Sequence, residues 1–244
     1  MITSKQNALI KEIKSLSDKK FRDRLGVFVI EGIKPVKEAL SLGLKFHSIV
    51  CTQKGEQALD GVYSQIELVT DDVFCYISEE KTPQGVLAVV YKPENNLISP
   101  KGNCLLLDGV ADPSNVGAII RTAAASGYNF VYMTDECADA YSNKAVRSSM
   151  TGVLRVNVMR APLTKLLEVI NLPIWVADMN GQDIQSVKTE GALCLVIGNE
   201  GKGVSKTVRE KANFTVSIPM ENGVESLNAA VSAGILMYGL KNKA

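Results

Sequence analysis

Short apolar runs alternate along this chain with segments whose apolar residues recur at helical spacing. In the first part, Leu9, Ile10, Ile13 and Leu16 mark one face of a helix. Val27-Phe28-Val29-Ile30 reads as a buried strand, a helical stretch from Ile33 to Leu42 is ended by Gly43, and Phe46 to Cys51 makes a second strand. Ile66 to Val69, a helix over Asp71 to Ile77 and the run from Gly85 to Tyr91 continue the alternation, which predicts a small α/β unit. The second part begins with a strand from Cys104 to Leu107 and a helix near Asn115 to Ser126 that Gly127 stops. A strand over Phe130 to Met133, a helix starting near Tyr141, a strand over Val156 to Val158 and a helix from Leu163 to Ile170 come next. Strands over Ile174 to Ala177, Ala192 to Ile197 and Phe214 to Ile218 precede a last helix from Ser226 to about Leu240. Such βα alternation predicts a parallel sheet flanked by helices.

The stretch from Lys92 to Gly102 interrupts the pattern with two prolines, two asparagines and little to bury, so it reads as a linker. The expected organisation is a first domain over residues 1–92, a linker over 93–102 and a second domain over 103–244.

Composition narrows the classes. With 46% hydrophobic and 22% charged residues in 244, the chain has the makeup of a globular protein, and no apolar run approaches the length that spans a bilayer. Its first residues lack the apolar core of a signal peptide, so no membrane and a cytoplasmic location are expected. Five cysteines without a C-x-x-C pair suggest reduced thiols rather than a disulfide framework, and Cys104 and Cys194 read as small buried hydrophobes. A single histidine, His47, argues against a zinc site or a histidine-based triad, and no metal is expected. The net charge of +1 advertises no global attraction to nucleic acid. Local patches could still serve, and the N-terminal arm, with Lys5, Lys11, Lys14, Lys19, Lys20, Arg22 and Arg24, is the basic candidate beside the alternative of a solvated helix face.

Three separated stretches in the second part place glycine and polar residues at the end of an apolar run. They are Asp112 to Gly117 followed by Arg121, Gly198 to Gly203, and Ser226-Leu227-Asn228 after Ile218-Pro219-Met220. Strand ends that empty into such loops are where open α/β sheets bind ligands, so the three point to one composite site. The common phosphate-loop templates do not fit. Gly203 is followed by Val204-Ser205 rather than Lys-Ser/Thr, and Gly201-Lys202-Gly203 lacks the third glycine of G-x-G-x-x-G, which leaves a nicotinamide-dependent oxidoreductase a distant reading.

The same residues carry a specific resemblance. Leu107 to Ala123, Leu195 to Gly203, and Ile218-Pro219-Met220 continuing to Glu225 through Ala230 match, in order, the three motifs of the SpoU, or TrmH-type, RNA ribose methyltransferases of the SPOUT superfamily. Coverage is about residues 103 to 242. More loosely, Phe28 to Gly32 and Thr82 to Ala88 resemble the α/β substrate-binding domain often fused ahead of that enzyme. Ser114 departs from a frequent glycine, and Met150-Thr151-Gly152 follows Ser148-Ser149 where smaller residues are common, which could alter the RNA-facing surface.

The resemblance implies a homodimer with a knotted C-terminal backbone that methylates a ribose 2′-hydroxyl in RNA, using S-adenosylmethionine. By that likeness the donor maps onto Ile197, Gly198, Glu200, Gly201, Ile218, Met220, Ser226 and Leu227. Arg121 occupies the position that prepares the hydroxyl, supported by Asn115, Glu200, Ser226 and Asn228. A guanidinium is an awkward base, so phosphate binding and oxyanion stabilisation are the favoured role of Arg121, with proton removal only if its pKa is strongly depressed. Lys5, Lys11, Arg121, Lys144 and Arg147 are candidate RNA contacts, with Arg155 and Lys202 as further cations. Each residue also has a plainer reading: Asn115 and Ser226 as helix N-caps, Glu200 as a loop cap. Leu227, Val231, Ile235 and Tyr238 share a face of the last helix that suits either core packing or a dimer interface. Ribosomal RNA is the expected substrate because of the fused first domain. Transfer RNA is the nearest alternative, and a non-catalytic RNA-binding protein on the same scaffold a second class.

Overall fold

The computed structural model describes residues 1–59, 65–221 and 226–241. Glu225 of the third motif and the last residues of the expected second domain lie outside these. The chain divides into two compact units, one of Met1–Pro93 with Tyr141–Arg147 and one of Glu94–Ala140 with Ser148–Ala244.

In the first unit the elements run α1 (Ala8–Ser15), α2 (Lys19–Leu25), β1 (Val27–Glu31), α3 (Ile33–Ser41), β2 (Phe46–Cys51), α4 (Gln53–Ala58), β3 (Glu67–Leu68), α5 (Asp71–Ile77) and β4 (Val86–Tyr91). The strands form a mixed sheet in the order β1-β4-β2-β3, with β4 antiparallel to both neighbours and β2 parallel to β3. Ile10, Ile13 and Leu16 of the first helical face pack with Val50, Val73, Phe74 and Leu87 in one apolar cluster. The pattern missed α2 because Lys-Lys-Phe-Arg-Asp-Arg-Leu carries little apolar signal; Asp18 caps its start and Gly26, at φ 65°, ends it. Arg22, counted with the basic arm, is in fact buried, and its Nη1 donates to the carbonyls of Leu16 and Ser17 at 2.7 and 2.8 Å. That cation closes the end of α1.

The second unit contains β5 (Cys104–Asp108), α6 (Pro113–Ser126), β6 (Phe130–Met133), α7 (Asn143–Ser149, whose first residues belong to the first unit), a 3-10 turn (Gly152–Leu154) and β7 (Asn157–Arg160). It continues with α8 (Leu163–Val169), β8 (Ile174–Asp183), β9 (Cys194–Gly198), α9 (Lys206–Lys211), β10 (Phe214–Ser217) and α10 (Ala229–Leu240). Its six strands are all parallel in the order β10-β8-β9-β5-β6-β7. From β5 the chain builds outward through β6 and β7, then crosses to the other side for β8, β9 and β10. The order therefore switches between β5 and β9, the place where open parallel sheets form a ligand crevice at their carboxyl ends.

Burial explains the apolar runs. Leu105, Leu106 and Leu107 of β5 and Cys194, Leu195 and Val196 of β9 are inaccessible because helices cover both sheet faces. The two thiols Cys104 and Cys194 sit opposite each other in register, and the Cys194 thiol is pushed up by its hydrogen bond with Cys104 and by burial. Gly127 stops α6 in the left-handed conformation, as expected.

The last helix differs from expectation. It starts at Ala229, not Ser226, and its buried face is Ala233, Leu236, Met237 and Leu240. Val231, Ile235 and Tyr238 are instead 50%, 40% and 55% exposed, so core packing does not account for that stripe.

Truncation at the centre of the β5 strand tests where the second unit's stability resides. Leu106→Ala is expected to lower the free energy of unfolding by about 2–5 kcal/mol, read as a lower urea midpoint with an unchanged slope.

Candidate active site

β9 ends where its apolar run reaches Gly198, and the backbone doubles back so tightly that a Cβ on that residue would lie 2.4 Å from the carbonyl carbon of Gly203. Asn199 and Gly203 close this loop with two backbone hydrogen bonds of 3.0 and 2.9 Å. The Asn199 side chain holds it further: Oδ1 accepts from the amides of Gly201 and Lys202, and Nδ2 donates to the carbonyl of Gly109 at 2.8 Å. The loop after β9 is thereby fixed to the end of β5. Asp108, buried at that end, adds a second tie by accepting from the amide of Ser205 at 2.7 Å.

α6 begins with Pro113 in its first turn, and its N-cap is Asp112, whose carboxylate accepts from the amide of Ser114. Asn115 is therefore not the cap, and its amide is available elsewhere. Its Nδ2 donates to Oε1 of Glu200 at 2.9 Å, while Glu200 also accepts from the amides of Ala111 at 3.0 Å and Asp112 at 3.2 Å. Asn228, and not Ser226, caps α10 by accepting from Ala230 and Val231. The same Asn228 donates through Nδ2 to Oδ1 of Asn115 at 2.9 Å. A single chain of hydrogen bonds, Asn228 to Asn115 to Glu200, thus joins all three motif loops.

Beside this chain the middle of β8 and the carboxyl ends of β9 and β10 surround a cavity of about 410 Å³. Of the residues expected to hold the donor, Ile197, Gly198, Glu200, Ile218, Met220, Ser226 and Leu227 line it, and Gly201 does not. Asn228 lines it too, whereas Asn115 meets it only through its two partners. The sequence reading missed Ala177, Asp178 and Met179 in the middle of β8, and Ser217 of β10. A polar residue ending the apolar run Ile174 to Ala177, with Gly181 three residues on, is the signal that could have found Asp178.

Two carboxylates on the wall stay ionised. Burial alone would push Glu200 up, but the Asn115 amide and the amides of Ala111 and Asp112 outweigh it and hold the group below its ordinary range. Asp178 is lowered first by the amide of Asn180, against burial, and then by the guanidinium of Arg209.

Arg121 lies elsewhere. Six residues after Asn115, it is displaced by about 120° around α6 and about 9 Å along its axis. It is exposed, does not line the cavity, and its side chain has no hydrogen bond or ion pair with another described residue. Among the cations of the first unit, Lys5 pairs with Asp72 at 2.9 Å and Arg147 approaches Glu79 and Glu80 at 3.7 and 3.6 Å, while Lys11 is exposed on α1 and Lys144 on α7.

The family model described as the SpoU rRNA methylase family matches residues 102–238, and one described as an MRM3-like substrate-binding domain matches residues 7–88. The chain belongs to the SpoU rRNA methylase family. A curated relative, 23S rRNA (guanosine(2553)-2′-O)-methyltransferase RlmP of Bacillus subtilis, is 34% identical over 98% of both chains. An AdoMet-bound rRNA methyltransferase from Sinorhizobium meliloti superposes with a TM-score of 0.88 at 28% identity, covering 98% of this chain and 95% of that one. The SpoU methyltransferase AviRb of Streptomyces viridochromogenes, in complex with AdoMet, gives 0.85 at 26% identity, covering 96% and 97%. As a SpoU enzyme the protein is an RNA ribose 2′-O-methyltransferase whose methyl donor is S-adenosylmethionine.

The cavity suits that donor. Its volume lies within the range of about 300–1,000 Å³ usual for small-molecule sites. Ile197, Ile218, Met220 and Leu227 give it apolar walls on which an adenosine would pack, and the ionised Glu200 would set negative charge beside a sulfonium.

Two measurements follow. Gly198→Ala places a methyl group against backbone that must move, so donor affinity by calorimetry should fall about tenfold or more. Glu200→Gln should lower the melting temperature at neutral pH. Because the folded-state pKa of Glu200 is depressed, its contribution is complete above the ordinary value of 4.5 and is lost as pH falls through the lower folded value. The melting difference between wild type and Glu200→Gln should therefore close as the medium is acidified below that value.

Proposed function

We propose that the protein methylates a ribose 2′-hydroxyl of ribosomal RNA in the cytoplasm, as a homodimer in which Arg121 of one protomer serves the donor cavity of its partner. The observation that carries the shared site is the position of Arg121: a guanidinium without a partner among the described residues, on the face of α6 turned away from Asn115 and outside the cavity of its own chain. The exposed Val231, Ile235 and Tyr238 support the dimer, since α10 packs on α6 beside Arg121, where a Cβ on Gly234 would lie 3.7 Å from the Thr122 methyl. A knotted backbone agrees with a strand order in which α10, entered from the β10 edge, returns to the helix that follows β5. Ribosomal RNA is favoured by the likeness to RlmP along nearly the whole chain, substrate-binding domain included. No helix among the described residues is long and apolar enough to cross a membrane.

When bound, S-adenosylmethionine supplies an electrophilic methyl carried on a sulfonium. Ile197, Gly198, Ile218, Met220, Ser226 and Leu227 enclose it, with Gly201 shaping the loop. Glu200, Asn115 and Asn228 keep the three loops in register, so that the hydroxyl oxygen meets the methyl in line. Positioning of this kind removes much of the barrier. Arg121 binds the RNA phosphate and stabilises the oxyanion as the hydroxyl loses its proton, and a fixed cation at that point costs little reorganisation. Lys5, Lys11, Lys144 and Arg147 contribute phosphate contacts that position the RNA without reading its sequence.

Arg121→Ala is expected to abolish transfer to ribosomal RNA while donor affinity by calorimetry stays near wild type. Mixing it with Gly198→Ala, itself impaired in donor binding, should restore activity in hybrid dimers that carry one intact composite site. Absence of recovery under conditions of subunit exchange would place Arg121 and the donor in the same chain's site.

A further inference from the structure

Met150 is the one residue other than glycine with positive φ among the described residues, at 55°. It follows α7 directly, in the left-handed position where helices usually place glycine because a side chain there is strained. The turn around it is anchored on both sides. Ser149 is fully buried, and Gly152 packs so closely on α6 that a Cβ would lie 2.8 Å from the Cα of Arg121 and 3.1 Å from its nitrogen. The amides of Leu154 and Arg155 bond back to Thr151 and Gly152, both at 3.0 Å, which closes the 3-10 turn that follows. Between these anchors Met150 itself is 53% exposed. Its side chain therefore neither relieves the backbone strain nor gains the burial that a large apolar group would normally find.

We infer that Met150 is a substrate-contact residue, held out from the α6 turn to pack against a base of the RNA beside the ribose that Arg121 prepares. This rests on the function proposed above. Met150 and Gly152 are two residues apart, so the methionine lies within about 7 Å of backbone from the point where the turn meets Arg121. A nucleotide whose phosphate rests on that guanidinium brings its own base, or the next one, to the methionine. Unpaired nucleotides offer their base faces to apolar side chains, and methionine is among the residues that wedge against or between bases. Its unbranched thioether adapts to any base face, so it would hold the nucleotide in place without selecting its identity.

Glycine at this position gives the test its direction, since it relieves the backbone and removes only the side chain. In the full-length protein, Met150→Gly should melt no lower than wild type, keep its donor affinity and its solution mass, and lose about tenfold in kcat/KM for ribosomal RNA. Met150→Leu, which keeps an apolar side chain, should retain most of the activity. Filter binding should show the Gly variant weaker for RNA at constant salt dependence, because no phosphate contact is removed. Wild-type kcat/KM and RNA affinity in Met150→Gly would overturn the inference. So would a fall in solution mass or melting temperature, which would assign the side chain to a protein contact. If wild-type protein binds RNA but transfers no methyl group, the proposed function fails, and the RNA affinities of wild type and Met150→Gly still decide the role of the methionine.

Discussion

The site depends on one carboxylate accepting more than one donor. Glu200 takes hydrogen bonds from Asn115 and from two consecutive amides at the entrance to α6, and Asn115 in turn takes one from Asn228. The carboxylate follows β9, its partners Ala111, Asp112 and Asn115 follow β5, and Asn228 follows β10. The loop after β9 closes on itself through Asn199 and Gly203, and Glu200 carries that order to the other two. Hydrogen bonds to a charged group are worth roughly 1.5–3 kcal/mol where sheltered and less where water competes, as it does around the partly exposed Glu200. The sum is modest, yet it is spent entirely on the register of the three loops around the cavity.

Much of the architecture was legible in the sequence because parallel strands covered on both faces leave uninterrupted apolar runs. Phe46–Cys51, Asp71–Ile77 and Phe130–Met133 have the limits that the pattern indicates. The short charged helices α2, α4 and α9 escaped because their stability comes from caps and neighbours rather than an apolar stripe. The three motif loops were recognisable as site elements from glycine and polar residues at strand ends. What could not be read was which side chain does which task. Asn115 and Ser226 both stand where an N-cap could be, but the caps are Asp112 and Asn228, and only the folded backbone shows which oxygen faces the orphan amides. Asp178 was overlooked because the apolar run ends at Ala177 while the strand continues through mostly polar residues to Asp183, which leaves Asp178 inside β8 and on the wall of the same cavity.

The two faces of α10 show a similar limit. Every residue of that helix is apolar or small, so periodicity alone does not separate the side that packs on the sheet from the side that does not. Contacts decide it: Ala233, Leu236, Met237 and Leu240 turn inward, and the Val231, Ile235, Tyr238 stripe is left outside. The basic arm gives the opposite lesson, since Arg22 looks like a surface charge in sequence and serves instead as the buried cap of a neighbouring helix.

Asn228 carries two tasks in one side chain: its oxygen starts α10 and its nitrogen reaches Asn115. The first turn of the helix and the wall of the cavity are therefore one structural unit with a common free energy. Whatever tightens that wall also favours the wound first turn, and whatever covers the outer face of α10 favours the closed wall. Linkage makes the effect reciprocal, so the factor by which occupancy of the cavity strengthens the covering of α10 equals the factor by which that covering strengthens occupancy.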